Sequence, residues 1–420
     1  MVSAAVGWTG RTGMEGESGL RPLGRGILLT TDFPPVLGGI SSYLFNVYRQ
    51  FDLSGMTLIA PKHARAAAFD EEQNYAAARY AGAPGIPGMR TAWQVWQMYA
   101  AAEKLVKRDR ELMLHCGHVN AAIAARKLKR WYGMRYLVWT HAVEIMDEWR
   151  RAKIVGALGD ADLVITNSEY TRAFVKSAGV EESKIVKVRP GADAEHFRPG
   201  MDASGIRRRL GIEGRPTLLT VARMVKVNRY KGHDVVLRAL ARVVKAVPDV
   251  AYVMVGEGDD VEYLAQLARE RGVQDNVVFA GRLKNEELPF IYNACDAFIM
   301  CSREDRTRRG VWAEGFGLAL VEASACGKPV IAGRSGGVPD AVREGVTGLL
   351  VDPTDEVAVA AAIVKILRER ELAETLGRNG RAWVEREMNW DRAGDEFELA
   401  MQDYFAGVER DEGGGVKEAV

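Results

Sequence analysis

From Gly26 onward, short apolar runs alternate with longer stretches whose apolar positions recur every three or four residues. That rhythm predicts a parallel sheet covered by helices. Strands are expected at Gly26–Thr31, Met56–Ala60, Leu112–Cys116, Arg135–Trp139, Leu163–Thr166 and Ile185–Val188. Helices such as Thr91–Lys107 and Glu169–Ser177 lie between them. A Pro/Gly-rich passage, Arg189–Pro199, breaks the pattern, and the alternation then starts again. Its second run has strands at Thr217–Ala222, Ala251–Val255, Val277–Ala280, Asp296–Cys301 and Pro329–Ala332, with helices at Gly232–Val247, Asp259–Arg271, Asn285–Ala294 and Leu318–Cys326.

A βα alternation that restarts halfway predicts two doubly wound, Rossmann-like α/β domains facing each other across a cleft, with ligand outside the carboxyl ends of the strands. The expected boundaries are 26–200 and 205–385, with a linker near 195–210. A final helix over 388–406 is assigned to the first domain. Residues 1–25, rich in Gly, Ser and Arg and without a continuous apolar stretch, read as a disordered leader.

Length agrees with two cores, since 420 residues exceed what one ordinary core organises. The 57 Lys and Arg against 56 Asp and Glu leave no global field to draw nucleic acid, so that partner class is set aside. No apolar run reaches the roughly 18 residues of a membrane-spanning helix. Cys116, Cys295, Cys301 and Cys326 have no CxxC spacing and read as buried free thiols in a reducing, cytoplasmic compartment.

The densest chemical signal is EGFGLALVE, residues 314–322. Gly315 and Gly317 allow close backbone approach, and a helix starting near Leu318 offers unpaired amides and its positive dipole end to an anion. Glu314 precedes that helix and Glu322 lies about one turn inside it; both suit paired hydroxyls of a ribose or sugar ring. Taken alone, the same residues also describe a capped helix with two solvated glutamates. Arg223 at a strand end and Lys231 at a helix start add two cations that can clamp a diphosphate. Gly256 and Gly281 follow the next two strands, where backbone can pass a planar base. In the first half, Gly38 and Gly39 feed a helix N-terminus after the first strand, though not as GxGxxG, which disfavours a dinucleotide site. His141 follows a strand, with Glu144 three residues on. In isolation a satisfied structural histidine is as good a reading.

Together these segments resemble the retaining glycosyltransferase family 4, of GT-B fold, over Gly26 to about Phe405. The resemblance rests on GGI (38–40), TH (140–141), NSE (167–169), PGAD (190–193), VARM (221–224), KG (231–232), GEG (256–258), EGFGLALVE and GKPVIAGRSGGVPD (327–340). It implies transfer of a hexose from a sugar nucleotide to an acceptor hydroxyl with retained configuration, without a metal or other cofactor. Arg223 and Lys231 would hold the donor diphosphate. Glu314, with the amides of Phe316, Gly317 and Leu318, would hold the sugar and phosphate, and Glu322 the ribose diol. Gly38 and Gly39 would approach the diphosphate, His141 would contact the sugar near the reacting carbon, and Gly256, Gly281, Leu283 and Gly315 complete the expected donor site. The loop between Arg223 and Lys231 is longer than the family's usual form, which leaves Lys226 or Arg229 as substitutes in the clamp.

The segment Ser302–Gly310 resembles the corresponding loop of mannosyltransferases acting on phosphatidylinositol mannosides. That favours GDP-mannose over a UDP-sugar, and a glycan or lipid-linked acceptor. A sugar-nucleotide epimerase and a non-catalytic sugar-binding protein are the rival classes. Arg126–Arg135 interleaves basic and aromatic residues and could touch the inner face of an anionic membrane, although an ordinary solvated helix end fits as well. Asp160-Ala161-Asp162 has the form of a metal-binding DxD, but it precedes its strand and reads as a turn. His115-Cys116-Gly117-His118 matches no standard zinc spacing and reads as a strand running into a helix.

Overall fold

The computed structural model describes residues 20–36, 38–82, 89–142, 145, 151–307 and 310–414. Within them the chain forms two compact units. One comprises the described residues up to Arg189 together with those from Trp390 on, the other residues 190–389.

The first unit is built on seven parallel strands: β1 (Gly26–Leu29), β2 (Met56–Pro61), β3 (Ala76–Tyr80), β4 (Met113–Cys116), β5 (Tyr136–Thr140), β6 (Leu163–Thr166) and β7 (Ile185–Lys187). They lie in the order β3-β2-β1-β4-β5-β6-β7. Its central strands read as continuous apolar runs because helices cover both faces. The last helix, Trp390–Gly414, joins this unit: Phe397 is fully buried against Tyr48, Phe51, His115 and Trp139. Arg189, at the end of the unit's first segment, closes a 2.6 Å ion pair with Glu396 of that helix.

The second unit repeats the plan with β8 (Thr217–Val221), β9 (Ala251–Val255), β10 (Val277–Gly281), β11 (Ala297–Met300), an antiparallel hairpin β12 (Asp305–Thr307) and β13 (Gly310–Trp312), then β14 (Val330–Gly333) and β15 (Gly348–Val351). The hairpin stands apart from the six-stranded parallel sheet, ordered β10-β9-β8-β11-β14-β15. Strand order therefore reverses between β8 and β11, whose central residues are in direct register (Leu218 with Ala297). A topological switch point leaves a crevice at the carboxyl ends of those two strands.

The units divide between Arg189 and Pro190 rather than near residues 195–210. The physical reason is packing. Ala192 and Phe197 belong to the second unit's core, and the Arg381 guanidinium donates to the carbonyls of Ala194, Phe197 and Ala325. A Pro/Gly-rich passage that reads as a linker is thus bound into the second domain.

Candidate functional site

In the second unit, the loops leaving β8 and β11 carry the residues singled out in the sequence. Lys231 ends the loop after β8. Glu314 follows the hairpin after β11, and the two side chains meet: Lys231 Nζ lies 2.6 Å from Glu314 Oε2, both mostly covered. Burial works against charge on Lys231, but the Glu314 carboxylate outweighs it and raises the ammonium's pKa above its ordinary value. The nearby Arg223 charge acts in the opposite sense. Arg223 itself is exposed and has no ion-pair or hydrogen-bond partner among the described residues.

Why these loops meet is local. Gly232 sits at φ 80°, and a Cβ there would come within 1.9 Å of the Cys301 carbonyl oxygen. Only glycine lets the start of the His233–Val243 helix press against the end of β11. Next to it, Arg303 N–H donates to the Tyr230 carbonyl, and the Arg303 guanidinium pairs with Asp234 at 2.8 Å and Asp305 at 2.9 Å. Arg303 is therefore a strut between the two loops. Of the other arginines in the Ser302–Gly310 segment, Arg306 is exposed on the hairpin, while Arg308 and Arg309 lie outside the described residues.

The longer Arg223–Lys231 loop forms a 3-10 turn over Lys226–Lys231. Arg229 does not serve as a spare clamp. Its guanidinium makes a two-pronged pair with the buried Asp260 at 2.6–3.0 Å and stacks 3.9 Å over Tyr263. Lys226 is exposed, and its backbone N–H donates to Asp259.

The EGFG turn leads into the Leu318–Ala325 helix. Gly317 caps it at φ 105°, a conformation an L side chain rarely adopts, and Phe316 drops its ring into the core. The Leu320 amide donates to the Gly317 carbonyl at 2.9 Å, while the Leu318 and Ala319 amides before it have no intrahelical acceptor. The Gly337 amide donates to the Glu314 carbonyl at 2.8 Å, which pins the turn from the β14 side. One turn inside, half-buried Glu322 accepts a 2.7 Å hydrogen bond from the phenol of Tyr292, and burial raises its pKa against that hydrogen bond. Tyr292, fully buried, carried no sequence signal beyond an apolar helix position.

At the ends of β9 and β10, Gly256 N–H donates to the Gly281 carbonyl. Gly281 is exposed, and Leu283 leans against the core.

In the first unit, Gly38 caps and Gly39 begins an exposed helix N-terminus, Gly39–Tyr48, with no side-chain cap. His141 follows β5 with its ring largely covered. Its Nε2 lies 3.0 Å from the Gly117 carbonyl and so donates to it, and the ring stands edge-on to Tyr43. Ala142 beside it has φ 87°, alone among the described non-glycine residues in being left-handed. Backbone strain of this kind collects at functional sites. Glu144 lies outside the described residues.

Asp160 and Asp162 are taken by the chain itself. Asp160 pairs with Arg126; Asp162 pairs with Lys129 and accepts the Tyr136 amide. Their segment is a helix-to-strand turn. His115 and Cys116 end β4, and His118 Nδ1 caps the Val119–Tyr132 helix.

Residues 37–196 match the model for Glycosyltransferase Family 4, and residues 202–383 that for Glycosyl transferases group 1. The chain is 33% identical over 380 residues to a GDP-mannose-dependent alpha-(1-6)-phosphatidylinositol monomannoside mannosyltransferase of Mycolicibacterium smegmatis, covering 88% of this chain and 96% of that protein. It is 30% identical to the monoacylated-substrate counterpart of Corynebacterium glutamicum, covering 90% and 97%. Among solved structures, HepE of Anabaena in complex with UDP-glucose superposes with a TM-score of 0.75 at 20% identity, covering 90% and 99%. A sucrose-phosphate synthase of Thermosynechococcus elongatus does so with 0.75 at 24%, covering 91% and 100%. The two parallel sheets thus have the GT-B fold, and the chain belongs to glycosyltransferase family 4, a family of retaining hexosyltransferases that use sugar-nucleotide donors.

Proposed function

We propose that this enzyme transfers mannose from GDP-mannose to a hydroxyl of a lipid-linked glycan acceptor. The observation that carries the choice of sugar is the similarity, over nearly their full length, to mannosyltransferases whose names specify GDP-mannose and an inositol-lipid acceptor. In this reading Arg223 and Lys231 hold the diphosphate and stabilise the charge that develops as it departs. Amides of Phe316, Gly317 and Leu318 add the partial positive charge of a helix N-terminus. Glu314 accepts from sugar hydroxyls, and Glu322 from the ribose diol. Gly256, Gly281, Leu283 and Gly315 border the nucleotide. The same reading gives Gly38, Gly39 and His141 roles toward the donor. No carboxylate is assigned as nucleophile: as the family resemblance implies, the acceptor attacks from the face the diphosphate leaves and the leaving phosphate takes its proton. Metal is not required, because the cations that oppose the diphosphate are side chains. Peripheral contact with an anionic membrane would present the acceptor. Among the described residues no helix is long and apolar enough to cross one.

A thermal-shift panel of GDP-mannose, UDP-glucose and UDP-N-acetylglucosamine tests the donor, since ligand that binds only the folded state raises the melting temperature. GDP-mannose should give the largest rise. A rise with a UDP-sugar and none with GDP-mannose would overturn the mannose assignment.

A further inference from the structure

The Glu322 carboxylate stands in an unusual setting for a charged group. It is half-buried, and no cation lies within ion-pair distance of it among the described residues. Its hydrogen-bond donor there is the Tyr292 phenol, 2.7 Å from Oε2. Tyr292 lies 30 residues earlier, in the Leu288–Ala294 helix, and its ring is fully enclosed, packed 5.6 Å from Phe298 and edge-on to Phe197 at 5.7 Å. A ring held on two sides by other rings has one place to aim its hydroxyl. Glu314 shares its Oε2 with the Lys231 ammonium, whereas Glu322 Oε2 is held by a neutral phenol. Its Oε1 has no partner among the described residues.

We infer that Tyr292 is a positioning residue for the nucleotide: its phenol holds Glu322 Oε2 so that Oε1 faces outward to accept from a vicinal diol. This rests on the reading of Glu322 as the ribose ligand. A half-buried carboxylate with no cation beside it tends to protonate, and a protonated carboxyl loses acceptor capacity. Donation from Tyr292 opposes that, favouring the ionised form against the effect of burial. The other titratable groups near Tyr292 and Glu322 are the thiols of Cys326, at the end of the Leu318–Ala325 helix, and Cys295, after the Tyr292 helix; burial raises both and keeps them neutral. Tyr292 therefore acts on affinity for the nucleotide, not on the chemical step.

The test is calorimetric titration of the full chain with GDP, and with UDP in parallel, from pH 5 to 8. The wild type is compared with Tyr292→Phe, Glu322→Gln and Glu322→Ala. Tyr292→Phe should weaken binding about tenfold at neutral pH and move the acid limb of binding upward, with turnover at saturating donor changed less than about twofold. The nucleotide's own titration is common to all variants and cancels in the comparison. Glu322→Gln should weaken binding nearly as much as Glu322→Ala, because Tyr292 captures the amide oxygen and turns the NH₂ toward the diol. This arm holds even if Tyr292→Phe fails to fold. Wild-type affinity and an unmoved acid limb in Tyr292→Phe, with or without a lower melting temperature, would overturn the inference; so would wild-type affinity in Glu322→Gln. Wild-type affinity in Glu322→Ala would instead sink the ribose assignment on which it rests.

Discussion

Lys231 Nζ and Glu314 Oε2 lie 2.6 Å apart and join the loop after β8 to the turn that follows the β12–β13 hairpin. Two groups assigned to different parts of the donor thus hold each other in place before any ligand arrives. The pair spans the switch point of the second sheet, so it fixes the spacing between the loop after β8 and the EGFG turn. Removing one partner leaves the other part-buried and uncompensated.

The first prediction follows from that coupling. Glu314→Ala should lower turnover by about 10²–10³-fold, because sugar contacts strengthen toward the transition state, while nucleotide affinity changes only a few-fold. Lys231→Ala should lower both. In the double variant the losses should be far from additive, since each single change already breaks the shared ion pair. Steady-state kinetics and GDP titration of all four proteins read this directly. Additive losses would mean that the two residues act independently.

Arg223 and Arg229 should separate cleanly. Arg223 has no partner to lose among the described residues, so Arg223→Ala should leave stability within about 0.5 kcal/mol and raise the donor KM at least tenfold. Arg229 holds the buried Asp260, so Arg229→Ala should lower stability by about 1–3 kcal/mol and affect the donor only through the loop. Urea melts and donor kinetics distinguish the two. A stable Arg229→Ala protein with a tenfold KM defect would reverse their roles.

Much of this arrangement was legible in the chain because it is periodic or local. Eleven strands of the two main sheets coincide with apolar runs, and Glu314, Gly315, Gly317 and Glu322 sit within one short motif. Strand β15 escaped although its Gly-Leu-Leu-Val is apolar, because four residues after a turn are too few to show a period; the other misses were weakly apolar or far apart in sequence. Strand β3 is Ala-Ala-Ala-Arg-Tyr at an exposed sheet edge, without the β-branched residues that mark a strand. The hairpin β12–β13 is written in charged residues and reads as a loop until its ladder forms. Arg303 finds Asp234 across 69 residues, and Tyr292 finds Glu322 across 30. No spacing rule announces such pairs, because tertiary packing alone brings them together. The same limit explains the Pro/Gly-rich passage, which reads as a free linker although Arg381 binds the Ala194 and Phe197 carbonyls within it.

Two buried histidines should make the fold acid-sensitive. Burial holds His115 neutral, with its pKa lowered to about 3, and burial with help from Lys231 lowers His233 to about 4. The unfolded chain takes up protons near pH 6.5, before the folded state does. Stability from each histidine is therefore complete above that pH and falls as pH drops toward 4, by up to about 1.4 kcal/mol per pH unit. Urea midpoints at pH 7 and pH 5 should differ accordingly, and His233→Asn should flatten the dependence of the second unit. An unchanged slope in that variant would show that His233 protonates freely in the folded protein.

Chelation should leave the reaction intact. Asp160 and Asp162 are occupied by Arg126, Lys129 and the Tyr136 amide, and in the proposed reading the charge opposing the diphosphate comes from Arg223 and Lys231. Sugar transfer in excess EDTA should stay within about twofold of the untreated rate, against the several kcal/mol a Lewis-acid metal supplies where one is used. Activity lost to EDTA and restored by manganese would place a metal in the mechanism.

The last prediction concerns the Val119–Tyr132 helix. Trp131 is 75% exposed at its end, and Lys127 and Arg130 lie exposed beside it, whereas Arg126 and Lys129 are committed to Asp160 and Asp162. An exposed indole next to cations unpaired among the described residues suits an anionic lipid surface, where each cation contributes about 1 kcal/mol at moderate salt. Co-sedimentation with phosphatidylglycerol-rich vesicles should therefore weaken on raising salt from 0.05 to about 0.5 M. The variant carrying Lys127→Ala, Arg130→Ala and Trp131→Ala should bind at least about 30-fold more weakly, with donor affinity unchanged. Vesicle binding that ignores both salt and these three substitutions would assign the surface to ordinary solvent and leave acceptor delivery to another part of the chain.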